Sequence, residues 1–355
     1  MSTRPPVAFD PAPFEPHPLF RHAHLQTVVG EVVPRDFARH HAPWLASART
    51  EQFTLADGDR LQAVLHLHPD DPARLRPVVL HLHGLEGSAE ASYQKGISTK
   101  AYAAGFHSVR LNFRNCGDTE HLARALYHGR STDDVLAVLA ALREEWGFST
   151  LYATGASLGA NLLLRLLADA GQAPPPGLAG VVAVSPPVDM AMTAAALDRG
   201  FNRGYTAYFL GLLKRKMRRK QRLSPGGEGL SELVRELGRV HTLRAFDELV
   251  TAPLSGYPDA ATYYAHASSG DDLHRVRVPT LLIHAQDDPF LPYAMYGPRM
   301  EAIAANPYLV SVFPDHGGHV GFLMPKGRPG RRPWMDEWWA ENEAIAYLQA
   351  LHEAR

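Results

Sequence analysis

Cysteine is nearly absent from this chain of 355 residues. Cys116 is the single cysteine, which excludes an internal disulfide framework and a cysteine-rich zinc site. A reducing compartment suits such a chain.

Long apolar runs and excess charge of either sign are lacking as well. No stretch approaches the roughly 20 apolar residues of a transmembrane helix, and the N-terminal M-S-T-R-P-P-V lacks a signal-peptide pattern. Lysine plus arginine (36) nearly balance aspartate plus glutamate (37), so overall charge gives no reason to expect nucleic acid as a partner. We therefore expect a cytoplasmic globular protein, with peripheral membrane contact left open.

Strand and helix patterns alternate from Pro77 onward, which predicts an α/β fold with a mostly parallel central sheet flanked by helices. The clearest helix candidate spans 132–146, and the segments 51–55 and 61–67 flank an Asp-Gly turn typical of a hairpin. The other strand candidates are 78–83, 107–113, 151–155, 180–185, 280–285 and 309–313.

The alternation is interrupted at 187–261, where a longer helix-prone stretch replaces a short connection. We interpret it as a helical cap inserted in the core. The first 49 residues are rich in proline and histidine and lack sustained periodicity, which predicts an extended N-terminal arm packed on the core. The whole chain, 1–355, is then a single domain.

A serine lies between two glycines in G-A-S-L-G (155–159), where a strand candidate meets a helix candidate. A sharp turn there would expose the Ser157 hydroxyl as a nucleophile, and the amides at the start of the following helix would face a developing oxyanion. The alternative is a tight turn that uses glycines for packing and serine as a helix cap.

Acidic and histidine side chains follow two later strand candidates. Asp287 and Asp288 compete to orient a histidine, with the spare one serving as a turn or helix cap. His319, flanked by glycine, is the preferred general base, and His316 is its competitor. The two histidines could instead bind a metal, but no carboxylate-rich or cysteine motif supports that, and we expect no metal.

The sequence closely resembles the YheT-like branch of the α/β-hydrolase superfamily, whose relatives include carboxylesterases, phospholipases and medium-chain ester synthases. The resemblance spans nearly the whole chain. The stretches that carry it are H-L-Q-T (24–27), H-G-L-E-G-S (83–88), N-F-R-N-C-G (112–117), G-A-S-L-G-A-N (155–161), F-D-E-L-V-T-A-P-L-S-G-Y (246–257), H-A-Q-D-D-P-F (284–290) and G-G-H-V-G-F (317–322). The most distinctive of these are the stretches at 24–27 and 246–257.

The resemblance implies a catalytic triad of Ser157, His319 and Asp288, with Asp288 favoured because hydrolases commonly place this acid four positions before a proline. It also implies an oxyanion hole formed by the amides of Leu85 and Leu158, and no cofactor. Asn115 departs from the family, which often has glycine there, in a loop that we expect to help shape the cleft.

These features predict a serine esterase that cleaves carboxylic esters with short to medium acyl chains through an acyl-enzyme. The expected partner is a small-molecule or lipid ester. An alcohol acyltransferase (ester synthase) or a phospholipase could use the same triad, and a non-catalytic binding protein on this fold is a third alternative.

Residues 205–222 can form a basic amphipathic helix within the predicted cap. Its basic side could rest on an anionic membrane or attract a phosphate headgroup, or it could simply be solvated. The apolar side consists of Tyr205, Tyr208, Phe209, Leu212 and Leu213, and the basic side of Lys214, Arg215, Arg218, Arg219 and Arg222.

Overall fold

The computed structural model describes residues 8–33, 35, 41–223, 228–327 and 332–355. Parts of the predicted arm (1–7, 34 and 36–40) and of the predicted cap (224–227) lie outside the described residues.

The described strands form one eight-stranded sheet. They are β1 (Ala48–Thr54), β2 (Arg60–His66), β3 (Val78–Leu82), β4 (His107–Leu111), β5 (Leu151–Ala156), β6 (Leu178–Val184), β7 (Thr280–Ile283) and β8 (Leu309–Val312). Their order is β1-β2-β4-β3-β5-β6-β7-β8. The β1–β2 hairpin and the β2–β4 pair are antiparallel, and the other pairs are parallel. The predicted fold class is confirmed.

Helices connect and cover these strands. The α-helices are α1 (Ala23–Val32), α2 (His41–Ala46), α3 (Ser92–Ala103), α4 (Thr132–Glu144), α5 (Leu158–Ala170), α6 (Met190–Leu197), α7 (Arg203–Leu223), α8 (Glu228–Glu236), α9 (Leu243–Phe246), α10 (Ala252–Leu254), α11 (Ala260–Ala267), α12 (Met300–Ala305) and α13 (Trp339–Glu353). Short 3-10 helices span Pro18–Phe20, Gly200–Asn202, Leu237–Arg239, Gly270–Arg275 and Tyr293–Arg299, and a π-helical turn spans Asp247–Thr251.

The central strands are apolar on both sides because helices cover both faces of the sheet. In β3, Val78, Leu80 and Leu82 pack with α4 and α5, whereas Val79 packs with α3 and α13. The helix predicted over 132–146 forms as α4, and its Val135, Val138, Leu139 and Leu142 are buried. Because the strands from β3 to β8 are parallel, their carboxyl ends meet at one edge of the sheet.

The N-terminal arm differs from the expected extended chain, since α1 forms a regular helix within it. Its sequence shows no clear apolar stripe because the side that faces the core carries Gln26, Thr27, Val29 and Gly30. Tertiary contacts therefore stabilise a helix that periodicity alone does not reveal.

The segment between β6 and β7 carries α6 to α11, and the predicted helical cap falls within it. The boundaries 187–261 and the division into arm, core and cap stay predictions. In the described residues, each helix is too short or too polar to span the apolar interior of a bilayer. The cellular compartment stays a prediction of the sequence.

We expect Gly159→Ala to lower the free energy of unfolding by about 2–3 kcal/mol, because overpacking against backbone cannot be relieved by a rotamer change. A Cβ atom at Gly159 would lie 2.5 Å from the His83 carbonyl oxygen. The control is Gly211→Ala in α7, where the new Cβ would meet open space. This substitution should stabilise the helix by up to about 1 kcal/mol. Urea unfolding measures both, and similar shifts in the two variants would contradict this explanation.

Candidate active site

Ser157 occupies the sharp turn between β5 and α5. Its φ angle of 52° lies in the left-handed region, which residues other than glycine rarely adopt. Glycines allow this turn: a Cβ on Gly155 would lie 2.6 Å from the Ala160 nitrogen, and one on Gly159 would clash with the His83 carbonyl. The serine-glycine pattern therefore marks a place where two backbone segments approach closely, with Ser157 at the wall of a cavity.

Two hydrogen bonds connect Ser157 to His319 and His319 to Asp288. His319 Nε2 lies 2.9 Å from Ser157 Oγ, and His319 Nδ1 lies 2.8 Å from Asp288 Oδ2. Asp288 is fully buried at its side chain, and its Oδ1 accepts hydrogen bonds from the amides of Phe290 and Leu291. With the Nδ1 proton directed at Asp288, Nε2 can accept the serine proton.

The competing residues form a second pair beside the first. Asp287 Oδ2 lies 3.1 Å from His316 Nδ1, and Asp287 Oδ1 accepts a hydrogen bond from the Gly318 amide. The other His316 nitrogen accepts a hydrogen bond from Arg21 Nε. His316 therefore contacts neither Ser157 nor Asp288, and Asp287 stabilises the turn before His319.

The two backbone amides that are predicted to form an oxyanion hole belong to residues close to Ser157. Leu158 is the first residue of α5, so its N–H has no acceptor within that helix. Leu85 follows Gly84, whose ideal Cβ position is 3.6 Å from Ser157 Oγ. Within the described residues, neither amide donates a hydrogen bond to the protein. Both residues line the same cavity as Ser157.

Helix α1 holds the segment that carries His319, a contact the sequence did not predict. The His319 N–H donates to Thr27 Oγ1 at 2.9 Å. The buried Gln26 amide makes two hydrogen bonds with one residue: its oxygen accepts from the Leu323 N–H at 2.8 Å, and its nitrogen donates to the Leu323 carbonyl at 3.1 Å. The distinctive H-L-Q-T stretch was the available signal, but it gave no indication of which loop these residues bind.

The loop around His319 is strained. Val320 and Phe322 have φ angles of 59° and 47°, and a positive φ is especially unfavourable for a β-branched residue such as valine. The Val320 N–H donates to Ser185 Oγ at 3.4 Å. Gly318 packs so closely on α1 that a Cβ there would lie 2.5 Å from the Ala23 oxygen. Surrounding contacts must offset the cost of this conformation.

A cavity of about 560 Å³ opens beside Ser157 and His319 and is lined mostly by apolar side chains. Its walls come from the core, from the cap and from α1, to which Thr27, Val28 and Val32 belong. The predicted apolar side of α7 lines it as well, through Tyr205, Tyr208, Phe209, Leu212 and Leu213.

A buried ion pair joins the cap to the loop that carries Leu85. Lys216 Nζ lies 2.5 Å from Glu86 Oε1, 3.1 Å from Cys116 Sγ and 4.4 Å from the centre of the Tyr127 ring. Burial alone would lower the pKa of Lys216, but Cys116 and Glu86 outweigh it and the pKa is raised. The charge of Glu86 is therefore compensated within the cavity wall.

Asp247 is an acid in the cavity wall without a basic partner in the described residues. Its oxygens accept hydrogen bonds from the hydroxyls of Thr251 and Tyr264 at 2.6 and 2.7 Å. Burial raises its pKa to about 6 despite these hydrogen bonds. The buried carboxyl therefore keeps its proton to a higher pH than a solvent-exposed aspartate does.

The basic side of α7 is partly solvated and partly paired. Arg215, Arg218 and Arg222 are exposed, whereas Arg219 forms ion pairs with acids of the loop after β4. In that loop Asn115 has a φ of 61°, a conformation that asparagine tolerates better than most residues and glycine tolerates best.

No cluster of three or more potential metal-ligating side chains occurs in the part of the chain that the structure describes. Cys116 is buried, and burial raises the pKa of its thiol to about 12. Such a thiol is a packed group rather than a nucleophile.

A family model described as "alpha/beta hydrolase fold" matches residues 77–324. The protein of Escherichia coli (strain K12) named "Putative esterase YheT" is 34% identical over 346 residues, which cover 97% of this chain and 95% of that protein. The "Monoacylglycerol lipase" of Saccharomyces cerevisiae is 29% identical over 84% of this chain and 65% of its own length.

Solved structures agree on the fold. The ferulic acid complex of Est1E from Butyrivibrio proteoclasticus superimposes with a TM-score of 0.52 at 14% identity, over 86% of this chain and 100% of that chain. An esterase of Pyrococcus furiosus, Pf2001, gives a TM-score of 0.50 at 17% identity, over 77% of this chain and 84% of that chain.

We expect Thr27→Val to lower the free energy of unfolding by about 1–3 kcal/mol, because it leaves the His319 N–H without its acceptor. The control is Thr99→Val. The Thr99 and Thr27 hydroxyls each donate to the carbonyl four residues earlier, but among the described residues Thr99 has no second contact like the one that Thr27 makes with His319. Chemical unfolding followed by circular dichroism compares the two. Equal losses would show that the contact with His319 contributes nothing.

Proposed function

Because the chain belongs to the α/β-hydrolase fold family, we propose that this carboxylic ester hydrolase works through an acyl-enzyme formed on Ser157. The observation that carries the proposal is the unbroken row of hydrogen bonds from Ser157 Oγ through His319 to Asp288, at 2.9 and 2.8 Å. A serine hydroxyl becomes a useful nucleophile only when a base in direct contact can take its proton.

In the first half of the reaction, Ser157 Oγ attacks the ester carbonyl carbon while its proton passes to His319 Nε2. Asp288 stabilises the resulting imidazolium and keeps its Nδ1–H in place. The carbonyl oxygen becomes an oxyanion that accepts hydrogen bonds from the Leu85 and Leu158 amides. When the C–O bond to the alcohol breaks, His319 returns the proton to the leaving oxygen, and the acyl group stays on Ser157.

In the second half, water attacks the acyl carbonyl and gives a proton to His319. The tetrahedral intermediate collapses, the carboxylic acid leaves, and the proton returns to Ser157. The two amides again stabilise the oxyanion. Each residue thus acts twice, and no cofactor enters the balance of atoms or charge.

We propose esters with short to medium acyl chains as substrates. The support is the apolar wall and the size of the cavity, about 560 Å³, which suits a ligand of moderate size. The lipase and esterase names among the relatives agree with a small-molecule or lipid ester. Product analysis with added alcohol separates hydrolysis from acyl transfer to that alcohol.

Ser157→Ala should abolish labelling by a fluorophosphonate probe and lower kcat for a p-nitrophenyl ester by on the order of 10⁴-fold or more. The matched control is Ser149→Ala, an exposed serine just before β5, at the end of the strand opposite Ser157. It should label and turn over like the wild type. Labelling that persists in Ser157→Ala would refute the assigned nucleophile.

Asp288→Asn should lower kcat by on the order of 10⁴-fold, because the amide favours the wrong histidine tautomer while preserving shape. Asp287→Asn is the matched control one residue away, and it should cost less than about tenfold because its partner His316 does not contact Ser157. Steady-state kinetics on the same ester measures both variants. The reverse order of effects would make Asp287 the acid.

A further inference from the structure

Large exposed apolar side chains surround the mouth of the cavity. Val28, Val32 and Tyr208 line the cavity, yet they are 44%, 64% and 60% exposed. Side chains that belong to a cavity wall and also face solvent mark its rim. Two of them come from α1 and one from α7, so the rim is shared between the N-terminal arm and the cap.

The apolar surface continues outward from this rim. Leu25 is exposed and lies one turn before Val28, on the same side of α1 as Val28 and Val32. Phe201, which is 76% exposed, contacts the ring of His24 with their centroids 4.8 Å apart. We call Leu25, Val28, Val32, Phe201 and Tyr208 the mouth surface. Contiguous exposed apolar patches of this kind usually mark interaction sites.

Positive charge adjoins the mouth surface along α7. Arg215 and Arg222 follow Tyr208 at intervals of two turns and are exposed, as is Arg218. Within the described residues, no carboxylate forms an ion pair with these three arginines. The sequence of α7 contains no acidic residue, and α1 contributes one, Glu31. The surface around the mouth is thus apolar at the rim and basic beyond it.

We propose that the mouth surface docks on an anionic lipid membrane, with Arg215, Arg218 and Arg222 against the headgroups. An apolar rim that can enter the acyl region, next to cations that can reach lipid phosphates, matches the two parts of such an interface. A second copy of this chain fits less well, because a twofold contact would bring the same unpaired arginines together.

Docking in this orientation places the opening of the cavity against the bilayer, so an ester can pass from lipid to Ser157 without crossing water. This consequence rests on the proposed function, whereas the docking itself does not. Phe201, Leu25 and the three arginines lie outside the cavity wall. Their replacement should therefore leave the hydrolysis of a water-soluble ester unchanged.

The test is sedimentation of the full chain carrying Ser157→Ala with vesicles of phosphatidylcholine alone, or of equal parts phosphatidylcholine and phosphatidylglycerol. We expect binding to the anionic vesicles that weakens as sodium chloride is raised. Adding Leu25→Ser and Phe201→Ser together should weaken binding roughly tenfold or more, because both apolar side chains lose their burial. Adding Arg215→Ala, Arg218→Ala and Arg222→Ala should weaken it by on the order of a hundredfold.

The matched control is Leu75→Ser, a leucine that is 81% exposed and precedes β3 at the opposite edge of the sheet from Ser157. It should bind like the parent. The proposal is overturned if the protein does not bind anionic vesicles, or if neither set of substitutions weakens that binding. It is also overturned if Leu25→Ser with Phe201→Ser instead converts a dimer into monomers. Vesicle binding needs no nucleophile and probe labelling needs no vesicle, so failure here is distinct from failure of the proposed function.

Discussion

The contact between His319 Nε2 and Ser157 Oγ, 2.9 Å long, depends on two backbone segments in unfavourable conformations. Ser157 has a left-handed φ, and so do Val320 and Phe322 beside His319. Such conformations persist only where the surroundings hold them. The strand-to-helix turn holds the serine through glycine contacts with neighbouring backbone, and the histidine loop is held largely from outside the sheet.

The outside support is the N-terminal arm. Gln26 fixes the backbone of Leu323 through both ends of its amide, and Thr27 accepts from the His319 N–H. The same helix contacts the cap, since His24 Nδ1 lies 3.1 Å from the Tyr205 hydroxyl. Helix α1 thus contacts the segment of the proposed base, the cavity wall and the cap.

The cavity combines an apolar wall with polar groups that are paired inside the protein. Lys216 of the cap compensates Glu86, next to one proposed oxyanion amide, while Asp247 lacks a cation and has a raised pKa. The charge of Glu86 is therefore compensated close to the proposed reacting atoms, whereas the Asp247 carboxyl lies farther along the wall without a cation beside it among the described residues. This division suits the proposed acyl chain, because an apolar ligand in the cavity would leave no ion without a partner beside the proposed reacting atoms.

The sequence by itself determined the sheet, because each buried strand and its flanking turn are encoded within a few residues. It also determined the residue types of the candidate site: glycines around Ser157 and acids and histidines after later strands. Local patterns left Asp287 and Asp288 equivalent, and only the family resemblance favoured Asp288. They also gave no partner for Thr27 and did not distinguish Lys216 from the other basic residues of its helix.

Only the tertiary structure decided that His316 pairs with Asp287 while His319 reaches Ser157, that α1 is helical, and that Lys216 is buried against Glu86. The physical reason is the range of the interactions. Turns and strands depend on neighbours in the chain, whereas these contacts join residues from 29 to 162 positions apart. Their formation depends on where whole helices pack, and no short stretch of sequence contains that information.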